Sequence, residues 1–101
     1  IPMTLSELQQ WVKDDWKRSN NPMPSTELQL LYIIEEFGEV AEAIRKSGGN
    51  KSRKDMKVDL GSEFADLIIS ITTLANSYDI DITKEVAGFQ QRLAERRAKG
   101  F

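Results

Sequence analysis

The chain has 101 residues, enough for one domain, and its 40% hydrophobic and 30% charged content is an ordinary globular balance. A net charge of −2 argues against a strong sequence-wide attraction to nucleic acid or anionic membrane. Without cysteine or histidine it excludes disulfides, thiolate nucleophiles, cysteine-based zinc sites and the commonest general base, leaving carboxylates, hydroxyls, Lys, Arg and oxygen-bound metals for any chemistry.

A single domain over residues 1–101 is expected, with no weight placed on the Ile1-Pro2 that precedes Met3. No apolar run approaches the ~20 residues of a membrane span, and no signal-peptide pattern is seen, so a cytoplasmic location is expected. Thr4-Leu5-Ser6-Glu7 is a capping-box pattern that opens a helix running to about Ser19, with Leu5, Leu8, Val12 and Trp16 as its apolar stripe. Asn20-Asn21-Pro22-Met23-Pro24 breaks the chain, and Ser25 or Thr26 can cap a second helix to about Lys46. Ser47-Gly48-Gly49-Asn50 ends it, followed by a basic loop to about Lys57. A third helix is predicted from about Asp59 to Ser77, and a fourth, capped by Asp81 or Thr83, to about Lys99. No period-two alternation is present, so the expected fold is all-α, a four-helix, bundle-like unit.

On a helical wheel, Leu30, Ile33, Ile34, Phe37, Val40, Ala41 and Ile44 share one broad face of the second helix, which predicts its core contact. Glu35, Glu39 and Glu42 point roughly opposite, with Glu36 at the edge of the apolar face. Leu60, Phe64, Leu67, Ile68, Ile71, Leu74 and Tyr78 make the corresponding stripe of the third helix, and Glu63 and Asp66 flank it at i, i+3. An isolated acidic face is ordinarily just solvated. Here two such helices carry no base: Ser25 to Ile44 holds five acids and no Lys or Arg, and so does Val58 to Thr83. A carboxylate near a core needs a partner or a shifted pKa. If the two helices pack antiparallel, Glu36 and Glu39 face Glu63 and Asp66. Such a group of oxygens suits Mg²⁺ or Mn²⁺.

These residues resemble a known family. Glu35-Glu36-Phe37-Gly38-Glu39 matches EExxE, Glu63-Phe64-Ala65-Asp66 matches ExxD, and 23 residues lie between them. The pattern looks like a MazG-type nucleotide pyrophosphohydrolase, of the all-α NTP pyrophosphohydrolase superfamily that also includes dimeric dUTPases. The resemblance runs from the second helix through Ile82. It implies Glu36, Glu39, Glu63 and Asp66 as Mg²⁺ ligands, with Glu35 as a further ligand, a group behind the ligands, or a catalytic carboxylate that orients water. It implies hydrolysis of nucleoside triphosphates between the α and β phosphates to a monophosphate and pyrophosphate, usually as house-cleaning of the nucleotide pool. The chemistry suits the residues. A divalent cation neutralises phosphate oxygens and acidifies water, a carboxylate accepts the proton without any histidine, and phosphoryl transfer asks mainly for positioning and charge.

Arg53 and Lys54, with Lys51 and Lys57, are candidates for the triphosphate tail against a plain solvated loop. Arg92 and Arg96, with Arg97 and Lys99, are weaker ones, since the family's Lys…Asn…Arg pattern is only loosely matched. Trp16 is expected in the core. Trp11, off the stripe, is a candidate for stacking on a base or for a subunit interface. Asn76 matches a position near the nucleotide, or simply caps a helix. Ile69 lies off its helix's main stripe, which asks for a second apolar contact. A homo-oligomer supplies one, and the resemblance likewise implies a dimer or a tetramer built from two dimers. Two non-enzyme readings stand beside this one, a homo-oligomeric module that binds Mg²⁺–nucleotide without turnover and a purely structural bundle. A di-iron bundle would need histidines that are absent.

Overall fold

The computed structural model describes residues 3–48 and 60–100, which form four α-helices: α1 (Leu5–Ser19), α2 (Thr26–Gly48), α3 (Leu60–Ser77) and α4 (Ile82–Ala98). Among the described residues there is no strand, as expected, and no helix long and apolar enough to cross a membrane. The helix ends follow local chemistry. Thr4 and Glu7 close the full capping box at α1, and Asn20 stops that helix in the left-handed conformation at φ 58. Ser25 caps α2 by accepting from the Leu28 amide at 3.2 Å, and Asp81 caps α4 through the Lys84 amide. The end of α3 is a Schellman stop. The Ile80 amide donates to the Ala75 carbonyl and the Asp79 amide to that of Asn76, with Asp79 at φ 54 where glycine is usual.

α2 and α3 form an antiparallel pair, α1 lies against α3, and α4 packs chiefly on α1. The side chains that tie these elements are largely polar. Gln9 of α1 is buried and fully partnered: its Nε2 donates to Asn76 Oδ1 at 2.9 Å and to the Ile80 carbonyl at 2.7 Å, and its Oε1 accepts from the Ile82 amide. Asn76 Nδ2 donates in turn to the Gln9 carbonyl. Gln29, also buried, donates to Pro24 O and Ser77 Oγ. Thr72 and Thr73 return their hydroxyls to the carbonyls of Ile68 and Ile69. Each of these buried polar side chains has a partner, as close packing demands.

The wheel needs one correction. The stripe of α2 that faces inward is Gln29, Ile33, Glu36, Val40 and Ala43, all buried or half-buried. Leu30, Ile34, Phe37 and Ile44, expected in the core, are 50–63% exposed. On α3 the expected core residues Phe64, Ile68, Ile71 and Tyr78 are also exposed, whereas Leu60, Leu67 and Leu74 are half-buried. Both helices thus turn the more polar of two available stripes toward each other. Ile69, expected to need a second contact, is half-buried within the chain.

Candidate metal centre and nucleotide cleft

The inward stripes bring the acids together. One carboxylate oxygen from each of Glu36, Glu39 and Glu63 lies within 4.8 Å of the others, at the end of the α2–α3 pair away from Gln29 and Ser77. Oε2 of Glu36 and Oε2 of Glu63 are buried and accept no hydrogen bond. Burial pushes the Glu36 carboxyl above its ordinary value, helped by the charges of Glu39, Asp66 and Glu35 and by a hydrogen bond with Glu39. Glu63 is raised too, first by burial, then by its hydrogen bond with Glu39 and by the charges of Glu39, Asp66 and Glu36. Like-charged carboxylates held this close disfavour one another's ionised form, which adds to burial in moving both groups in the same direction. Asp66 stands beside the three converging oxygens rather than among them, and Glu35 is on the exposed flank.

The residues fit a divalent cation. The donors are all hard oxygens, two of them are buried without a partner, and the described acids here form no ion pair with Lys or Arg. By contrast, Glu42, one turn on, is bound to Arg45 at 2.6 Å and to Lys46 at 3.6 Å, which lowers its pKa. Glu36, Glu39 and Glu63 are the residues that would hold such a cation.

A cleft of about 590 Å³ opens where α1, α2 and α3 meet, within the range of small-molecule sites. Trp16, Lys13 and Lys17 line one wall, Met23 and Pro24 another, and Gln29, Thr73 and Asn76 the floor. Thr73 and Asn76 each precede an inward position of α3 by one residue, as Asp66 does, so the cleft and the carboxylates open on the same side of the helix pair. Gln29 and Glu36 are two turns apart, roughly 10 Å along α2.

The model of the MazG nucleotide pyrophosphohydrolase domain matches residues 25–101, which include the whole carboxylate group. The chain belongs to this family. It is similar to the uncharacterized protein YvdC of Bacillus subtilis (strain 168), 26% identical over 102 residues that cover 93% of this chain and 96% of that one. It is also similar to two crystal structures of iMazG from Vibrio DAT 722, both 26% identical. The C-tagged form has a TM-score of 0.66 and covers 92% of this chain and 99% of that one. The N-tagged form has a TM-score of 0.67, with 94% and 97% covered.

Within this MazG chain the remaining candidates scatter. Asn76 lines the cleft, but both ends of its amide are taken by Gln9. Trp11 is 47% exposed and does not line the cleft. Trp16, read from the sequence as core, is half-buried and does line it. Arg92 and Arg96 are exposed on α4 and, among the described residues, form no ion pair with the carboxylates; Arg92 folds back over Gly88. Arg53 and Lys54, like Lys51 and Lys57, lie outside the described residues. Lys13 and Lys17 were missed. Their signal was their spacing, one turn before and one residue after Trp16, beside a Pro-rich break that leaves this end of α1 without a helix to cover it.

Proposed function

We propose that the protein is a Mg²⁺-dependent nucleoside triphosphate pyrophosphohydrolase that cleaves (d)NTP between the α and β phosphates, releasing a nucleoside monophosphate and pyrophosphate, and acts on the nucleotide pool as a house-cleaning enzyme. The observation that carries this reading is the convergence of Glu36, Glu39 and Glu63 with two buried, unpartnered oxygens in a chain of this family. Glu36, Glu39 and Glu63 hold the cation, and Asp66 completes the group. The bound cation supplies positive charge against the phosphate oxygens and acidifies water. Glu35, exposed at the edge of the group, orients the attacking water and accepts its proton as the anhydride bond breaks. The cleft takes the base and sugar, with the Trp16 ring as an apolar wall and the ammonium groups of Lys13 and Lys17 at its mouth. The two turns that separate cleft from carboxylates suit a nucleotide laid along the α2–α3 groove. The protein works as a homo-oligomer.

The test is direct. The intact protein is incubated with each ribo- and deoxyribonucleoside triphosphate, and with modified ones, in Mg²⁺, and the products are followed. Monophosphate and pyrophosphate in equal amounts are expected. Orthophosphate in place of pyrophosphate would put the cleavage at the wrong bond. Tight Mg²⁺–nucleotide binding without any product would favour the regulatory module instead.

A further inference from the structure

The hydroxyls of α3 do not all behave alike. Thr72, Thr73 and Ser77 each return theirs to the carbonyl four residues back. Ser70, half-buried on the same helix, does not, and its hydroxyl has no hydrogen-bond partner among the described residues. Polar groups withdrawn from solvent usually find a partner, so Ser70 keeps a donor and an acceptor unspent. Tyr32 on α2 is a second such group. Its ring is 44% exposed, and its hydroxyl is likewise unpartnered among the described residues.

The two positions are equivalent on their helices. Tyr32 lies four residues before Glu36 and three after Gln29, on the cleft floor. Ser70 lies four residues after Asp66 and three before Thr73, also on the cleft floor. In an antiparallel pair, a step back along α2 and a step forward along α3 run the same way. Tyr32 and Ser70 therefore stand at one level, one turn from the carboxylates and one turn from the cleft, roughly 4.5–6 Å from each along the axis. Tyr32 precedes the inward Ile33 by one residue, as Glu35 and Glu39 precede Glu36 and Val40, so it borders the side on which carboxylates and cleft open. Ile33 and Ile69, both half-buried, adjoin the two hydroxyl residues with apolar surface. Residues 25–44 and 58–83 hold no Lys or Arg, the side chains that an anionic group at this level would call for. Hydroxyls that both donate and accept match another hydroxyl.

We propose that Tyr32 and Ser70 form a sugar subsite, in which their hydroxyls bind a hydroxyl of the substrate's pentose and so fix the base and the phosphates in register along the groove. This rests on the nucleotide reading above, which puts the base in the cleft and the phosphates at the carboxylates. The pentose is the part of a nucleotide that lies between them. A substrate that lacks the bound hydroxyl leaves Tyr32 and Ser70 without their partner, and that is what makes such a site selective. The 2′- and 3′-hydroxyls offer the same chemistry, and analogues lacking one or both tell them apart.

Initial rates in Mg²⁺ on the ribo-, 2′-deoxy-, 3′-deoxy- and 2′,3′-dideoxy-forms of one nucleoside triphosphate test this, with Tyr32→Phe and Ser70→Ala beside the unchanged protein. Each variant removes one hydroxyl and keeps the rest of the side chain. The unchanged protein should lose roughly 3- to 10-fold in kcat/KM on the analogues that lack the bound hydroxyl. Each variant should lose activity on the substrates that carry this hydroxyl and much less on those that lack it, so that the preference shrinks toward none. Thermal melts should find Ser70→Ala no less stable than the unchanged protein, because the lost hydroxyl has no partner among the described residues. Equal kcat/KM on all the sugars overturns the subsite. A variant that keeps the full preference overturns the role of the residue it alters. A loss of equal size on every sugar places the hydroxyls against the phosphates and overturns the subsite too. No hydrolysis of any triphosphate defeats the proposed function and the subsite with it, whereas hydrolysis without a sugar preference defeats the subsite alone.

Discussion

The two ends of the α2–α3 pair treat buried polar groups in opposite ways. At one end Gln29, Ser77, Asn76 and Gln9 close their hydrogen bonds on one another and on the backbone. At the other end Glu36, Glu39 and Glu63 crowd together with two oxygens left over. A satisfied buried network holds elements in place. An unsatisfied cluster of like charges weakens the protein in isolation and makes sense only when something external completes it. The first end holds the helices in place, and the second end gathers the oxygens to which the proposed cation would bind.

Breaking the second end should have the largest effect. Glu39→Gln or Asp66→Asn should lower turnover on the order of 10³-fold, at the scale of removing a key electrostatic group. The same substitutions should raise the melting temperature of the cation-free protein, because a repelling charge is gone. Activity measured beside thermal melts in EDTA checks both, and survival of activity would defeat the metal-site assignment. Breaking the first end should cost stability instead. Asn76→Ala leaves part of the buried Gln9 amide unpaired and should destabilise by about 1–3 kcal/mol, with KM little changed. A large rise in KM at intact stability would return Asn76 to the substrate.

Acid sharpens the comparison. Glu36 and Glu63 have folded pKa values raised above the ordinary 4.5. They bind protons more readily folded than unfolded, so their contribution favours the fold below 4.5 and is lost as pH rises through the raised values. Glu7 and Glu42 are lowered by Thr4 and Arg45, and their contribution is lost as pH falls through the lowered values. Cation-free protein should therefore grow more stable as pH drops from neutral toward 4.5, then lose that gain in stronger acid. Urea titrations in EDTA across pH read this, and saturating Mg²⁺ should flatten or reverse the first limb. The smallest effect is expected in the turn behind the ordered end. Asp79→Gly removes the cost of a left-handed L-residue and should stabilise by ~1 kcal/mol or less, measurable as a small rise in melting temperature.

The helices were legible because their caps are chemical signals, and Thr4, Ser25 and Asp81 each accept the predicted kind of amide bond. The carboxylate site was legible because two acidic stretches without bases recur at helical spacing. The inward faces were not. A wheel assumes one buried face per helix and gives it to the most apolar stripe, whereas α2 carries two parallel stripes and turns the one with Gln29 and Glu36 inward. The clamp of Gln9 on Asn76 was equally hidden, since nothing local in the sequence marks a glutamine that reaches 67 residues along the chain. Trp16 was misplaced because a stripe position says which side of a helix a ring occupies and not whether a neighbour covers it.

The slight anchorage of α4 has a consequence of its own. It has no buried residue, keeps Val86 and Phe89 exposed, and is tied to α1 near its first turn only, by the hydroxyl pair Ser6 and Thr83 at 2.9 Å and by the Ile82 amide on Gln9 Oε1 at 2.9 Å, among the described hydrogen bonds. A segment held so lightly opens at far lower free energy than the whole domain. Its amide hydrogens should trade for deuterium while those of α2 and α3 stay protected, making α4 a separate unfolding unit that can detach and reseat without disturbing the carboxylates.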